Sequence, residues 1–80
     1  MNVQILTPER KFFAGEAESV SFPGTDGRFE ILNNHAPLIS SLKEGDIRIR
    51  TNGKDTLVKI KGGFVEVLQN NINVMVEGAE

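Results

Sequence analysis

The residues of this chain best suited to chemistry fall within one stretch, Gly24 to Ser40, GTDGRFEILNNHAPLIS. It holds Asp26, Arg28, Glu30, Asn33, Asn34 and the single histidine, His35. Two carboxylates and an imidazole are the parts of a general acid–base site. Each also has a plainer reading. Asp26 precedes Gly27, and Asp-Gly is a hairpin dipeptide in which Asp tolerates left-handed backbone and bonds its own main chain. Arg28 and Glu30 alternate with Phe29 and Ile31, which places them on the solvated side of a strand. His35 stands in a loop before Ala36-Pro37, with no Ser or Cys nucleophile in an elbow and no carboxylate partner fixed by spacing. The glycines of PGTDG lack the strand-to-helix setting and the Lys-Ser/Thr of a phosphate loop. The stretch therefore reads as non-catalytic, with His35 as a loop organiser or a contact residue.

The whole-chain numbers narrow the classes further. Eighty residues make one domain, residues 1–80, with a thin core that often leans on a partner. There is no cysteine, so there is no disulfide and no thiolate metal site, and one histidine with scattered carboxylates makes a poor metal centre. No cofactor is implied. The formal charge of −2 opposes nucleic acid or anionic lipid as the main partner, since both select a basic patch. The absence of Trp and Tyr leaves few stacking platforms for single strands. No apolar run reaches the roughly 18 residues of a membrane span, and the N-terminus does not read as a secretory signal.

Elements with strand periodicity must position these residues. VQIL, KFFAG, ESVSFPG, TDGRFEIL, PLISSL, DIRIRT, DTLVKIK, GFVEVL and INVMVE alternate apolar and polar residues between turn signals, and no helical period is sustained. The expected fold is all-β: a flattened sandwich or barrel of about eight to ten short antiparallel strands. One register can be counted. Asn52-Gly53 as a two-residue turn pairs Thr51 with Lys54, Arg50 with Asp55, Ile49 with Thr56, Ile47 with Val58 and Asp46 with Lys59. That puts the apolar residues on one face and two opposite-charge pairs on the other. Gly62-Gly63 predicts a tight turn or a bulge, and Asn70-Asn71 predicts a second hairpin. In that hairpin Val65 and Val67 face Ile72, Val74 and Val76, while Phe64, Leu68 and Met75 fall on the alternate face. So apolar a second face is either covered within the sandwich or kept for another subunit.

The motifs SFPGTDGRFEILNNHAPLISSLKEGDIRI, KGGFVEV and NVMVE, in this order from Val3 to Glu80, resemble the epsilon subunit of the bacterial F-type ATP synthase, and the opening VQILTPERKFFAGEAESVSFPG is similar too. The resemblance implies a flattened β-sandwich that is not itself an enzyme. It implies a central-stalk rotor subunit, docked on the gamma subunit and the c ring, that helps couple transmembrane proton or other ion flow to ATP synthesis and hydrolysis. Its location would be the cytoplasmic side of the inner membrane, held there only through the complex. The c-ring contact candidates are Arg28, Glu30, Asn33 and His35; the gamma-contact candidates are Phe64, Leu68 and Met75. Family members usually continue into an inhibitory helical pair, so this 80-residue chain is expected to lack helix-mediated inhibition. The family pattern near G-E-F-G-I-L-P-x-H-A-P-L is altered here: Arg28 replaces Glu, Glu30 replaces Gly and Asn33 replaces Pro. The charge reversal at Arg28 implies a compensating carboxylate on the ring. The alternative from another class is a small β-barrel nucleic-acid-binding module, opposed by the acidic balance and the scarce aromatics.

Overall fold

Alternation drives most of the elements. In the computed structural model, which describes all 80 residues, nine strands form: β1 (Asn2–Leu6), β2 (Lys11–Glu16), β3 (Ser19–Gly24), β4 (Gly27–Leu32), β5 (Leu38–Leu42), β6 (Gly45–Thr51), β7 (Lys54–Ile60), β8 (Gly62–Leu68) and β9 (Asn71–Glu77). Hydrogen bonding runs in the order β2-β1-β9-β8-β5-β3-β6-β7, with β4 on the free side of β3. β5 and β3 meet only where Gly24 faces Leu42. That corner divides the ladder into a five-stranded layer (β2-β1-β9-β8-β5) and a four-stranded layer (β4-β3-β6-β7). The body measures 27 × 24 × 19 Å, a flattened sandwich as its alternation predicts. One pair departs from the antiparallel expectation, since β1 runs parallel to β9.

The core is what the inward positions supply. Val3, Ile5, Ile72, Val74, Val65 and Val67 come from the larger layer. Val20, Phe22, Ile31, Ile47, Ile49, Val58 and Ile60 come from the smaller one. Phe22 and Phe29 are register partners and stack with centroids 5.5 Å apart. No polar or charged side chain is buried.

The β6–β7 hairpin has the register counted from sequence, in all five pairs. Asn52 (φ 53°) and Gly53 (φ 75°) are both left-handed, as a type I′ turn requires. Arg50 Nε donates to Asp55 Oδ1 at 2.9 Å. Asp46 and Lys59 oppose each other in register but do not close to an ion pair. Both termini are tied down: the Met1 ammonium donates to Ala17 O, and Glu80 exchanges two backbone bonds with Lys59 on β7.

Three turns differ from the sequence expectation. The β3–β4 turn residues are Thr25-Asp26, because Gly24 pairs with Gly27, so Gly27 already belongs to β4. Asp26 keeps an ordinary negative φ and is not the left-handed residue expected of it. The β8–β9 turn is Gln69-Asn70, one residue earlier than Asn70-Asn71, with φ of 50° and 62°. Gly62-Gly63 opens β8, paired with Glu77 and Val76, and closes no hairpin: β7 and β8 lie in different layers and are joined through Lys61 alone. Glycine is needed at Gly63 for another reason: a Cβ there would collide with the carbonyl oxygen of Met75 on β9.

Candidate protein interface

The registers define a grid on the outer face of the five-stranded layer. Leu6, Met75, Phe64 and Ser41 form one row across β1, β9, β8 and β5. Gln4, Asn73, Glu66 and Ile39 form the next, and Asn2, Asn71 and Leu68 the third. The side chains of this grid are apolar or carboxamide, with Ser41 and one carboxylate, Glu66. Strict alternation turns Val65, Val67, Ile72 and Val74 inward, which forces their neighbours out.

Phe64, Leu68 and Met75, grouped by the sequence pattern, do share this face. Phe64 and Met75 are direct partners, while Leu68 sits two rows away beside Asn71. The face is uncovered: Phe64 and Leu68 are each 50% exposed and Met75 is 38% exposed. Nothing within the sandwich packs over them, so this is a free surface and not a second core. The sequence reading missed Ile39, which is 73% exposed on the same face. In PLISSL the parity is ambiguous between adjacent Leu38 and Ile39. Pairing with β8 resolves it by placing Ile39 opposite Glu66. Leu6 was missed because only the non-local parallel pairing with β9 brings it beside Met75.

The four other candidates, Arg28, Glu30, Asn33 and His35, are strung along one margin. Arg28 and Glu30 lie on the edge strand β4, and Asn33 and His35 follow its far end. At about 3.3 Å per residue, Arg28 and Asn33 are separated by roughly 16 Å of strand. They are not one loop tip. Arg28 is bound back on its own layer: Nε donates to Ser21 Oγ (2.8 Å), and Nη2 donates to Asp46 O (2.6 Å) and, at 3.4 Å, to Ser21 O. No carboxylate pairs with it, so its charge stays uncompensated within the chain. Asn33 Oδ1 accepts from the Met1 ammonium at 3.1 Å.

His35 is held by short-range bonds. Its backbone N–H donates to Leu32 O (3.2 Å), closing a turn. Nδ1 lies 2.7 Å from Ala36 O, and since a carbonyl only accepts, Nδ1 carries the proton. Asp26, Glu30 and His35 are not brought together: Asp26 sits in the turn at one end of β4 and His35 beyond the other. No group of three or more His, Asp or Glu side chains is placed to hold a metal ion.

Sequence comparison with known proteins agrees on one lineage. Residues 1–80 match the family model for the β-sandwich domain of the ATP synthase delta/epsilon chain. The chain is 44% identical over 78 residues to the ATP synthase epsilon chain of Pelotomaculum thermopropionicum, covering 98% of this chain and 58% of the relative. It is 40% identical over 81 residues to that of Brevibacillus brevis, covering 100% of this chain and 61% of the relative. The chain thus spans about three fifths of the length of these relatives. In fold it is similar to a chain of the Euglena gracilis mitochondrial ATP synthase structure of OSCP, F1 and c-ring, with a TM-score of 0.91 at 17% identity, covering 98% of this chain and 51% of that one. A chain in the central stalk/c-ring structure of the Tetrahymena thermophila mitochondrial ATP synthase gives a TM-score of 0.81 at 20% identity, covering 99% of this chain and 64% of that one.

Proposed function

This chain belongs to the delta/epsilon family of the ATP synthase, and from that membership we propose that it acts as a non-catalytic rotor subunit, docking on the gamma subunit and the c ring. The observation that carries the reading is the uncovered Phe64–Met75 pair with Leu68, Leu6 and Ile39 around it. A small domain leaves such residues in water only at a cost. Covering the exposed half of each large one returns on the order of 1 kcal/mol at the usual value per area. Partners that bury aromatic and Met anchors of this kind gain affinity from a few of them. The gamma subunit is the partner that this face is proposed to meet.

The β4 margin is proposed as the c-ring side. The uncompensated Arg28 guanidinium seeks a carboxylate there, and charge pairs of this sort set register and partner choice more than affinity. Subunits fixed to gamma and ring together turn with them, which is how the domain would contribute to coupling ion flow to ATP synthesis or hydrolysis. Membrane association would come only through the complex, on the cytoplasmic side of the inner membrane, and no helix is long and apolar enough to cross one. Co-expression with the gamma subunit and c ring of the same organism tests the assignment. A stable complex containing all three supports it, and recovery of the chain free of both contradicts it.

A further inference from the structure

The β4–β5 loop and the β8–β9 turn are 36 positions apart in the chain yet are clasped together. The backbone N–H of Asn34 donates to Asn70 Oδ1 at 2.6 Å, and Asn70 Nδ2 donates back to Asn34 Oδ1 at 3.1 Å. Both asparagines are left-handed, φ 65° and 62°, the conformation that Asn reaches most easily among residues with a side chain. Asn70 is also anchored from below, because its carbonyl accepts the N–H of Asn2 at 2.8 Å. A shallow cleft of about 310 Å³ opens between the two loops, lined by Asn34, His35, Ala36, Pro37, Gln69 and Asn70. Its lining contains no Asp, Glu, Lys or Arg, and His35 Nε2 is left for a partner once Nδ1 is spent on Ala36 O.

We infer that Asn70 is a positioning residue for the c-ring contact, acting through Asn34 to preset the His35 loop, and that Gln69 and Asn70 complete a two-loop cleft for an uncharged polar turn. The inference rests on the ring assignment proposed above. A loop fixed before encounter loses less conformational freedom on binding, so the clasp raises affinity beyond what its own contacts in the cleft supply. Pro37 confines Ala36 to extended backbone and limits the loop from its other end.

Asn70→Gly tests this, since glycine keeps the left-handed turn and deletes only the carboxamide. Hydrogen exchange at the Asn34 amide should accelerate, and affinity of the gamma-bound chain for the c ring should fall about five- to tenfold, the weight of one or two exposed hydrogen bonds. Gamma affinity should be unchanged. Asn34→Gly should weaken ring binding similarly, and the double variant should cost less than the sum of the two. Wild-type ring binding that survives Asn70→Gly, or an unaltered Asn34 exchange rate, overturns the inference alone. No ring binding by the wild-type chain overturns the ring assignment and this use of the clasp with it.

Discussion

On the outer face of the five-stranded layer, Leu6, Met75 and Phe64 stand beside rows of Asn and Gln, with Glu66 the one charge across β1, β9, β8 and β5 and with Glu16 and Lys11 on the flanking β2. On the outer face of the four-stranded layer, Glu30, Arg28, Arg48, Arg50, Asp46, Asp55 and Lys59 predominate, with Leu32 and Leu57 as isolated apolar residues. Both faces arise from the same two-residue alternation, and both are open to solvent. The second satisfies much of its own chemistry. Asp55 accepts two hydrogen bonds from Arg50, and Arg28 reaches Ser21 and the Asp46 carbonyl. The first has no internal solution for its apolar row. A charged face can thus be an ordinary solvated surface, whereas contiguous exposed apolar residues point outward to a partner.

The largest effect should come from the apolar row itself. Phe64→Ala with Met75→Ala should lower gamma affinity by about 30-fold or more, as interface anchors do, while changing the melting temperature little. Leu57→Ala on the opposite face should leave gamma affinity as it is. Titration of each variant against gamma, alongside a thermal melt, separates the faces; a melting loss matching the affinity loss would make Phe64 and Met75 ordinary structural residues.

Gly63→Ala attacks the support of that row. The added Cβ meets the Met75 carbonyl, and φ at Gly63 is 151°, a backbone disfavoured for residues with a side chain. A cost of about 2–3 kcal/mol is expected from the clash and the strain, visible as a fall of roughly 10 °C or more in melting temperature for a domain this size. An unchanged melting temperature would show that β8 and β9 can part there freely.

On the charged face effects should be smaller. Arg28→Glu removes bonds to Ser21 and Asp46 and reverses the charge at the β4 margin. It should lower stability by about 1 kcal/mol, the scale of exposed hydrogen bonds, and weaken ring docking, while leaving gamma binding alone. Normal ring co-purification and coupling in this variant would remove Arg28 from the contact. The smallest change is at Asp55, whose carboxyl is held below its usual range chiefly by the hydrogen bond from Arg50, opposed in part by desolvation and helped less by the charges of Arg50 and Arg48. A depressed carboxyl stabilises the fold above its unfolded value near pH 4 and loses that contribution as pH falls through the lower folded value. Asp55→Asn should therefore narrow the gap in melting temperature between pH 7 and pH 2; an identical gap would show that the pair contributes nothing.

Local chemistry made much of this legible in the sequence. The β6–β7 register followed from one dipeptide, because a type I′ Asn-Gly turn leaves a single way to pair the flanking residues. Alternation also placed Phe64, Leu68 and Met75 on one face. It did not show whether that face was covered, which depends on how the two layers stack. Non-local features were hidden for the same reason: the β1–β9 parallel pair, the Asn34–Asn70 clasp and the place of Ile39 join segments far apart in the chain. The Gln69-Asn70 turn was misread because Gln is an uncommon left-handed residue beside two adjacent asparagines that look better suited.

Solvent footprinting of the chain with and without gamma tests the difference between the faces most directly. Side-chain oxidation at Phe64, Leu68 and Met75 should be suppressed in the complex, while Leu57 and Leu32 stay as reactive as in the free chain. Protection of Leu57 with Phe64 and Met75 still reactive would contradict the assignment and put gamma on the charged face.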